Sequence, residues 1–288
     1  MNKDFLKEVV LDKQKSLKEA KRRYPEDELR MKLEEPHVYR PFKAAVSALG
    51  KLNIIGEIKK ASPSEGLLRE NFDPIRLSRL YQNAGCSAVS ILTEEKYFLG
   101  KISYLNQVRK IINLPILRKD FIFDPYQLYE SKFFGADCVL LIAELLKDGK
   151  LSEFLSIAKR LELDCLVEVN ELKDLKYALD QGSEIIGINN RNLHSLKMVS
   201  QAASDLIRFV PEDRIIVLES GISKHAEYLK YSKLKVNALL IGSAFMKSED
   251  IKKKIDEIVE GREPGSKAAL ARKAPKKKRV RKKKSAQK

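Results

Sequence analysis

The 288-residue sequence contains no tryptophan and only three cysteines, Cys86, Cys138 and Cys165. The cysteines are odd in number, far apart and surrounded by apolar residues, so they predict neither a disulfide framework nor a metal site. We interpret them as small buried hydrophobic side chains. A reducing compartment is therefore expected, and we predict a cytoplasmic protein.

The sequence also lacks a long hydrophobic run. No apolar segment reaches the roughly 18 residues that a membrane-spanning helix needs, and residues 1–15 are charged, without the apolar stretch of a signal peptide. We therefore predict no membrane span. The hydrophobic fraction of 43% is sufficient for a sizeable core, so most of the chain should be globular.

Positive charge is concentrated at one end of the chain. The formal net charge is +16, but residues 262–288 contain 13 lysines and arginines and one glutamate, which leaves residues 1–261 with a charge of only +4. The hydrophobic pattern stops at about Gly261, and Lys276–Lys284 is nearly all basic. Such a block repels itself and buries no apolar surface, so we predict a disordered basic tail.

Three roles are compatible with this tail. It could be an inert solvated segment, a targeting signal, or a nonspecific contact from Lys276–Lys284 to nucleic acid or another anionic surface, through counterion release. No aromatic residue interrupts the basic run, so base stacking is not expected.

From residue 53 onwards, short apolar runs alternate with helical patterns. Eight strand–helix units over roughly 210 residues are typical of an α/β protein with a (β/α)8 TIM barrel. An open doubly wound sheet would also alternate, but it rarely needs eight strands, and no G-x-G-x-x-G follows the first strand. The predicted strands are Asn53–Ile58, Ala88–Leu92, Pro115–Leu117, Asp137–Ile142, Cys165–Val169, Glu184–Ile188, Arg214–Leu218 and Asn237–Ile241.

The helical patterns divide the chain into three predicted parts. These are an N-terminal helical extension over residues 1–48, the catalytic barrel over 49–260 and the tail over 261–288. The amphipathic segment Asn2–Tyr24 and the short segment Pro41–Leu49 are the helices expected in the extension. The predicted barrel helices are Pro74–Asn83, Ser103–Ile112, Gln127–Phe134, Leu151–Leu161, Glu171–Leu179 and Lys224–Tyr231.

Charged residues lie at the carboxyl ends of several predicted strands, where (β/α)8 barrels carry their active sites. Glu57 and Lys59 point in the same direction because strand side chains alternate, and Lys119 and Glu168 occupy equivalent places on strands 3 and 5. One such charge could belong to a buried structural ion pair. Four that converge on one mouth favour a catalytic site.

Small residues follow strands 7 and 8, as Ser220-Gly221 and Gly242-Ser243. Small residues in these two loops allow backbone N–H groups to approach an anion, which is the usual phosphate site of a TIM barrel. Each pair alone would be an ordinary turn. Together they predict a phosphorylated, anionic substrate held beneath two lysines and a carboxylate.

These segments resemble the indole-3-glycerol-phosphate synthase family over about residues 1–258. The segment Ile55–Ser64 is similar to the family's E-x-K-x-x-S-P-S signature. Other phosphate-binding barrels lack the combination of this signature with L-R-K-D-F and G-I-N-N-R-N-L. The further matching segments are Leu92–Glu94, Phe98–Gly100, Pro115–Phe121, Leu166–Val169, Ile186–Leu193 and Glu219–Ile222.

The resemblance implies a carbon–carbon lyase of tryptophan biosynthesis that needs no metal and no organic cofactor. Its substrate would be 1-(2-carboxyphenylamino)-1-deoxyribulose 5-phosphate, which is closed to indole-3-glycerol phosphate with loss of CO₂ and water. The family uses its N-terminal helices to cover the substrate. The resemblance also implies a monomer.

By the family's pattern, Lys119 would be the general acid, Glu168 the general base of the dehydration, and Lys59 a ligand for the substrate's anionic groups. Repulsion between the two lysines would ease the release of a proton from one of them. Glu57 and Asn189 would orient the lysines and the sugar hydroxyls. The other implied residues are Ser62, Ser220, Gly221, Gly242 and Ser243 for the phosphate site, and Arg191 and Glu219 for support of the mouth.

Two positions depart from the family's pattern. Glu65 stands where the family often has lysine, and Lys101 stands where serine often follows the F-x-G motif. Both residues are expected in mobile loops, so they bear on the affinity for the substrate and not on the family.

Two other functions are alternatives to an indole-3-glycerol-phosphate synthase. The first is a nucleic-acid-binding protein that acts through its tail on a barrel scaffold. The second is another phosphosugar enzyme, such as phosphoribosylanthranilate isomerase. That enzyme would need an acid–base pair of cysteine and aspartate at strands 1 and 6, where this chain has Glu57, Lys59 and Asn189.

Overall fold

A closed barrel of eight parallel strands forms the centre of the protein. The computed structural model describes residues 4–34, 38–199 and 202–261, so the predicted basic tail, including Lys276–Lys284, lies outside the described residues from Arg262 onwards. Each strand pairs with its neighbours in chain order, and the last strand pairs with the first. The predicted (β/α)8 barrel is confirmed. Its strands are β1 (Asn53–Ile58), β2 (Ala88–Leu92), β3 (Ile116–Lys119), β4 (Cys138–Ile142), β5 (Asp164–Val169), β6 (Ile185–Asn189), β7 (Ile215–Glu219) and β8 (Ala238–Ile241).

Three strands continue further than the sequence predicted. β3 includes Lys119, β6 ends at Asn189 and β7 ends at Glu219, whereas the predicted strands stopped one or two residues earlier. These polar residues remain in the ladder, because Lys119 is in register with Leu92 and Asn189 with Glu219. The parallel pairing therefore fixes the backbone of the polar residues at the mouth.

Strand alternation arranges the inside of the barrel in layers. Side chains two residues apart on a strand point the same way, so an apolar inward residue is followed by a polar one nearer the mouth. Leu117 is followed in this way by Lys119, and Leu166 by Glu168. The buried apolar layer includes Ile55, Ala88, Leu117, Cys138, Leu140, Leu166, Ile185, Val217 and Leu240. The barrel is thus a packed core with a polar upper end.

Helices surround this barrel and pack on the outward-facing apolar side chains. In α4 (Pro74–Asn83), for example, Pro74 fills the first position, where no hydrogen bond is lost. The Asp73 carboxylate accepts from the backbone N–H groups of Ile75 at 2.9 Å and Arg76 at 3.1 Å. The helices of the described residues are α1 (Phe5–Arg23), α2 (Glu26–Lys32), α3 (Phe42–Val46), α4 (Pro74–Asn83), α5 (Ser103–Arg109), α6 (Tyr126–Phe133), α7 (Lys150–Arg160), α8 (Leu172–Asp180), α9 (Ala202–Ile207), α10 (His225–Ser232), α11 (Ser243–Met246) and α12 (Ile251–Glu260).

The N-terminal helices lie at both ends of the barrel. α1 crosses the mouth, where the ring of Phe5 lies 6.2 Å from that of Phe121, centroid to centroid, and Lys13 Nζ binds Asp120 Oδ2 at 2.8 Å. α3 lies at the opposite end. There Asn53, at the start of β1, donates its side-chain amide to the carbonyl of Val46 at 3.0 Å. The short helix α2 was not predicted.

None of the helices in the described ranges combines the length and the apolar character that crossing a membrane requires. The three cysteines are free thiols, and Cys86 and Cys138 are buried as predicted, whereas Cys165 is half-buried.

Candidate active site

A cavity of about 370 Å³ opens at the mouth of the barrel. It lies where the carboxyl ends of the strands converge, which is the position of active sites in this fold. The structure brings together every site residue predicted from the sequence. Those lining the cavity are Glu57, Lys59, Ser62, Lys119, Glu168, Asn189, Arg191, Glu219, Ser220, Gly221, Gly242 and Ser243.

Lys119 occupies the centre of the charged layer. Its ammonium group contacts Glu219 Oε2 and lies 3.4 Å from Glu168 Oε2. Both carboxylates are buried, with side chains 1% and 2% exposed for Glu219 and Glu168. Charges removed from water in this way are stable only when they are paired, and β3, β5 and β7 supply the partners.

A second ion pair lies at the end of β1. Lys59 Nζ is 2.8 Å from Glu57 Oε2, and both side chains are largely buried. The Glu57 carboxylate lies against Gly242, so a Cβ atom at residue 242 would collide with the carboxylate oxygen. Gly242 therefore has a role beyond the predicted one, because it provides the space that Glu57 occupies.

Asn189 and Arg191 organise the rim beside Glu168. The Asn189 side-chain NH₂ group donates to Glu168 Oε1 at 2.9 Å. The side-chain oxygen of Asn189, Oδ1, accepts from the Arg191 backbone N–H at 2.9 Å. The guanidinium of Arg191 donates to the Leu196 carbonyl at 2.8 Å. These bonds fix Glu168 in one orientation, with one oxygen directed to Lys119 and the other to Asn189.

The carboxylates determine the pKa of Lys119. Burial alone would lower the pKa, but the charges of Glu219, Glu168 and Glu57 outweigh it and raise the pKa of Lys119 well above its ordinary value. The expectation that repulsion between two lysines eases proton release is therefore wrong for Lys119 in this state. The physical reason is that the carboxylates dominate the field at its ammonium group.

The pKa of Glu219 is raised as well. Burial raises the pKa of Glu219 to about 7, against the lowering effect of the Lys119 charge and with a further contribution from the neighbouring Glu168. Its second oxygen, Oε1, is buried without a hydrogen-bond partner among the described residues. A carboxyl group that titrates near neutral pH is a common feature of catalytic sites.

Small polar residues form the side of the cavity near β7 and β8. Ser220 and Gly221 both have positive φ angles, 66° and 79°, so the chain turns sharply as it leaves β7. Gly242 and Ser243 begin the short helix α11. The Ser62 hydroxyl, in the loop after the neighbouring strand β1, is buried and has no hydrogen-bond partner in the part of the chain that the structure describes. This arrangement suits an anionic group with several acceptor oxygens.

Sequence reasoning missed two parts of the site. One is a cluster around Glu65, whose carboxylate binds Ser243, Lys247 and Arg191. The other is an apolar wall, to which Phe5 of α1 contributes. Phe98 and Phe121 lay in segments already recognised as motifs, but nothing in the sequence showed that Phe5 enters the cavity. The wall consists of Phe5, Phe98, Phe121, Leu140, Ile142, Leu193, Leu196 and Met198.

The fold and site together define a class of protein: a (β/α)8-barrel enzyme with paired ammonium and carboxylate groups at its mouth. Among the described residues, no group of three or more histidine, cysteine, aspartate or glutamate side chains could hold a metal ion.

A family model described as indole-3-glycerol phosphate synthase matches residues 6–258. The chain belongs to this family, as predicted. A curated relative named indole-3-glycerol phosphate synthase from Caldanaerobacter subterraneus subsp. tengcongensis is 46% identical over 247 residues, which cover 85% of this chain and 94% of the relative. The same name is carried by a relative from Campylobacter curvus, 43% identical over 260 residues, with 89% of this chain and 100% of the relative covered.

Solved structures support the fold alone. A 3-hexulose-6-phosphate synthase superposes with a TM-score of 0.57 at 13% identity and covers 73% of this chain and 99% of its own. A thiamine phosphate pyrophosphorylase from Pyrococcus furiosus gives a TM-score of 0.52 at 18% identity, with 73% and 96% covered.

Proposed function

We propose that the cavity at the barrel mouth is the active site of an indole-3-glycerol phosphate synthase, a carboxy-lyase of tryptophan biosynthesis. Its substrate is 1-(2-carboxyphenylamino)-1-deoxyribulose 5-phosphate, and its products are indole-3-glycerol phosphate, CO₂ and water. One observation carries the proposal. Lys119 lies between Glu168 and Glu219 in a cavity that also contains the small-residue loops of Ser220 and Ser243.

Lys119 is the proposed general acid. Its raised pKa keeps the ammonium group protonated until the aromatic carbon attacks the substrate's carbonyl carbon. Displacement of a carboxylate by the substrate's carbonyl oxygen then lowers the pKa of Lys119 and eases transfer of the proton. The carbonyl oxygen becomes a hydroxyl group by taking this proton. Before transfer, the positive charge of Lys119 stabilises the negative charge that develops on the oxygen. The substrate's carbonyl oxygen must replace one of the two carboxylates that contact Lys119.

Decarboxylation follows at the ring carbon that has formed the new bond. The bond to the carboxylate breaks, its electron pair restores the aromatic ring, and CO₂ leaves. Lys59 is placed to neutralise this carboxylate, because its ammonium group enters the cavity and is oriented by Glu57 at 2.8 Å. A single lysine holds the carboxylate during ring closure without preventing its loss.

Glu168 is the proposed general base of the last step. It takes up a carbon-bound proton while the hydroxyl group leaves as water with a proton donated by the Lys59 ammonium group, which also lines the cavity. The hydrogen bond from Asn189 at 2.9 Å keeps one oxygen of Glu168 occupied and directs the other into the cavity.

The two sides of the cavity suit the two ends of the substrate. The apolar wall with Phe98 and Phe121 offers a surface for the aromatic ring, and the Ser220 and Ser243 loops offer donors for the phosphate. The distance between them is bridged by the ribulose chain, whose carbonyl then lies beneath Lys119.

The proposal is tested by incubating the purified full chain with the substrate and following the fluorescence of the indole product. We expect turnover that releases CO₂ and product in equal amounts. Buffer without protein and heat-denatured chain are the controls. If native protein gave no indole fluorescence under conditions in which a curated relative is active, the proposal would fail.

A further inference from the structure

Glu65 lies at a tight turn in the loop after β1. Two short antiparallel segments, Ala61–Ser62 and Gly66–Leu67, form a hairpin, and the Glu65 backbone N–H donates to the Ser62 carbonyl at 3.3 Å across the turn. The turn directs the Glu65 side chain into the mouth cavity, which it lines.

The carboxylate of Glu65 is bound by three donors from other loops. The Ser243 hydroxyl donates to Oε1 at 2.8 Å, Lys247 Nζ lies 2.7 Å from Oε2, and the Arg191 guanidinium lies 3.5 Å from Oε1. A hydroxyl, an ammonium and a guanidinium group are the donors that proteins use to hold phosphoryl groups. Glu65 thus occupies a ready anion site on the side of the cavity assigned to the phosphate.

The surroundings of Glu65 favour its ionised form. Burial would raise the pKa of the carboxyl group, but hydrogen bonds from Lys247 and Ser243 and the charge of Lys59 outweigh burial and lower it. The carboxyl group therefore carries a full negative charge at neutral pH. Nearby, the buried Ser62 hydroxyl lacks a hydrogen-bond partner among the described residues, so the same site has an unused donor for an anion with more oxygens than a carboxylate.

We propose that Glu65 is a resident anion that competes with the substrate's phosphoryl group for Ser243, Arg191 and Lys247. The phosphoryl group displaces the Glu65 carboxylate and takes over its donors, so that Lys247 becomes a phosphate-binding residue. The inference rests on the proposed function only for the identity of the phosphorylated ligand.

The two anions exclude each other. Two like charges in van der Waals contact repel even at the dielectric constant of water, and repel more strongly where they are partly buried. A phosphoryl dianion therefore enters only after the Glu65 carboxylate has left. Each binding event includes the free energy of breaking the contacts of Glu65, which weakens the apparent affinity.

The hairpin allows this exchange. Pro63, Ser64 and Gly66 around the turn are exposed, and no atom lies within 4 Å of the position that a Cβ on Gly66 would take. The base of the hairpin is held separately, because the Arg69 guanidinium donates to the carbonyls of Met246 at 3.2 Å and Ser248 at 3.1 Å. Glu65 can swing outwards while the loop remains attached beside α11.

Calorimetric titration of the purified full chain with inorganic phosphate tests the proposal. In the Glu65→Gln variant, which keeps the shape of the side chain and removes its charge, the Kd for phosphate should fall by about tenfold, as expected if the competing state is about 90% populated. In Lys247→Met the Kd should rise. Glu95→Gln, which removes an exposed carboxylate from the loop after β2, is the matched control and should leave the Kd unchanged.

The opposite changes in Kd in the two variants distinguish competition from a structural role of Glu65 and Lys247. If Glu65 and Lys247 merely stabilised the loops as an ion pair, both substitutions would weaken phosphate binding, and this result would overturn the proposal. An unchanged Kd in Glu65→Gln would overturn it as well.

A kinetic measurement separates this inference from the proposed function. With the phosphorylated substrate, Glu65→Gln should lower KM. Failure of the wild-type chain to turn over the substrate, with the phosphate affinities changing as expected, would refute the function and leave the resident anion supported. Normal turnover with unchanged phosphate affinity in Glu65→Gln would refute the resident anion alone.

Discussion

Lys119 and Glu219 come from strands on opposite sides of the barrel, and their charged groups are in contact at its centre. The contact joins an ammonium group whose pKa is raised to a carboxyl group whose pKa is raised to about 7. Of the two groups, it is therefore the Glu219 carboxyl group that titrates near neutral pH.

Removal of the proposed acid or base should abolish most of the activity. We expect Lys119→Met and Glu168→Gln each to lower kcat by about 10²- to 10⁴-fold, because each substitution removes a group that transfers a proton in the reaction. Product fluorescence measures the rate, and circular dichroism with thermal unfolding checks the fold. Lys101→Met, in the loop after β2 and outside the mouth cavity, is a control that should remain active. A near-normal rate in Lys119→Met would rule out the acid assignment.

Glu219 should make stability depend on pH. Because burial raises its pKa from 4.5 to about 7, the folded state holds this proton more tightly than the unfolded state. The resulting stabilisation of the folded state is complete at pH values below the ordinary pKa of 4.5. It is lost as the pH rises through about 7. Urea unfolding between pH 5 and 8 should show a loss of stability in the wild type that is smaller in Glu219→Gln. If the free energy of unfolding depended on pH equally in the two proteins, the raised pKa of Glu219 would be contradicted.

Asp120 should contribute more to stability than an exposed ion pair of the same length. It is fully buried and binds Lys13 at 2.8 Å and Arg118 at 3.0 Å, so Asp120→Asn removes the carboxylate that neutralises Lys13 and leaves Arg118 with Glu130 alone. We expect a loss of about 3 kcal/mol in the free energy of unfolding. The exposed pair of Lys252 and Asp256, also at 2.8 Å, provides the control. Asp256→Asn should change stability by no more than about 0.5 kcal/mol, and equal losses in both variants would refute the argument.

The basic tail should act separately from the barrel. We propose that residues 262–288, with a charge of +12, contact nucleic acid nonspecifically. Deletion of Arg262–Lys288 should leave the rate of turnover unchanged and abolish salt-sensitive retention on a DNA column. Replacement of the basic residues in Lys276–Lys284 by glutamine, in the full chain, isolates the effect of charge. Undiminished retention of the truncated chain would exclude the proposal.

The sequence was sufficient for the fold and for the convergence of the predicted site residues on the mouth, but not for the position of Phe5 or the contacts of Glu65. Continuous apolar strands such as β4 and β8 are specified by their own composition, since both of their faces are covered. The convergence of Lys119 and Glu168 followed from strand alternation, which requires no knowledge of the loops. The predicted ends of β3, β6 and β7 are too early, because lysine, asparagine and glutamate are uncommon within strands. At this mouth they stay in the ladder through their contacts with one another.

The parts that the sequence could not supply depend on distances between separate segments. The pKa of Lys119 is decided by three carboxylates from three strands, and a pattern of residues does not show which charge is nearest. Similarly, the contact of Glu65 with Lys247 joins two loops that are remote in the chain. Phe5 reaches the cavity only because α1 docks as a whole, so its role follows from tertiary packing.

The attachment of α1 has a consequence for synthesis on the ribosome. Lys13 and Lys21 bind Asp120 and Asp124, more than 100 residues further along, and the backbone of Phe5 donates to the His194 carbonyl at 3.3 Å. The helix is therefore translated long before its binding surface exists. Its apolar side remains exposed to solvent until strands from both halves of the barrel have been translated. Contacts between such distant segments carry the largest cost of loop closure. A nascent chain released early would contain α1 but lack the later strands of the barrel on which this helix docks.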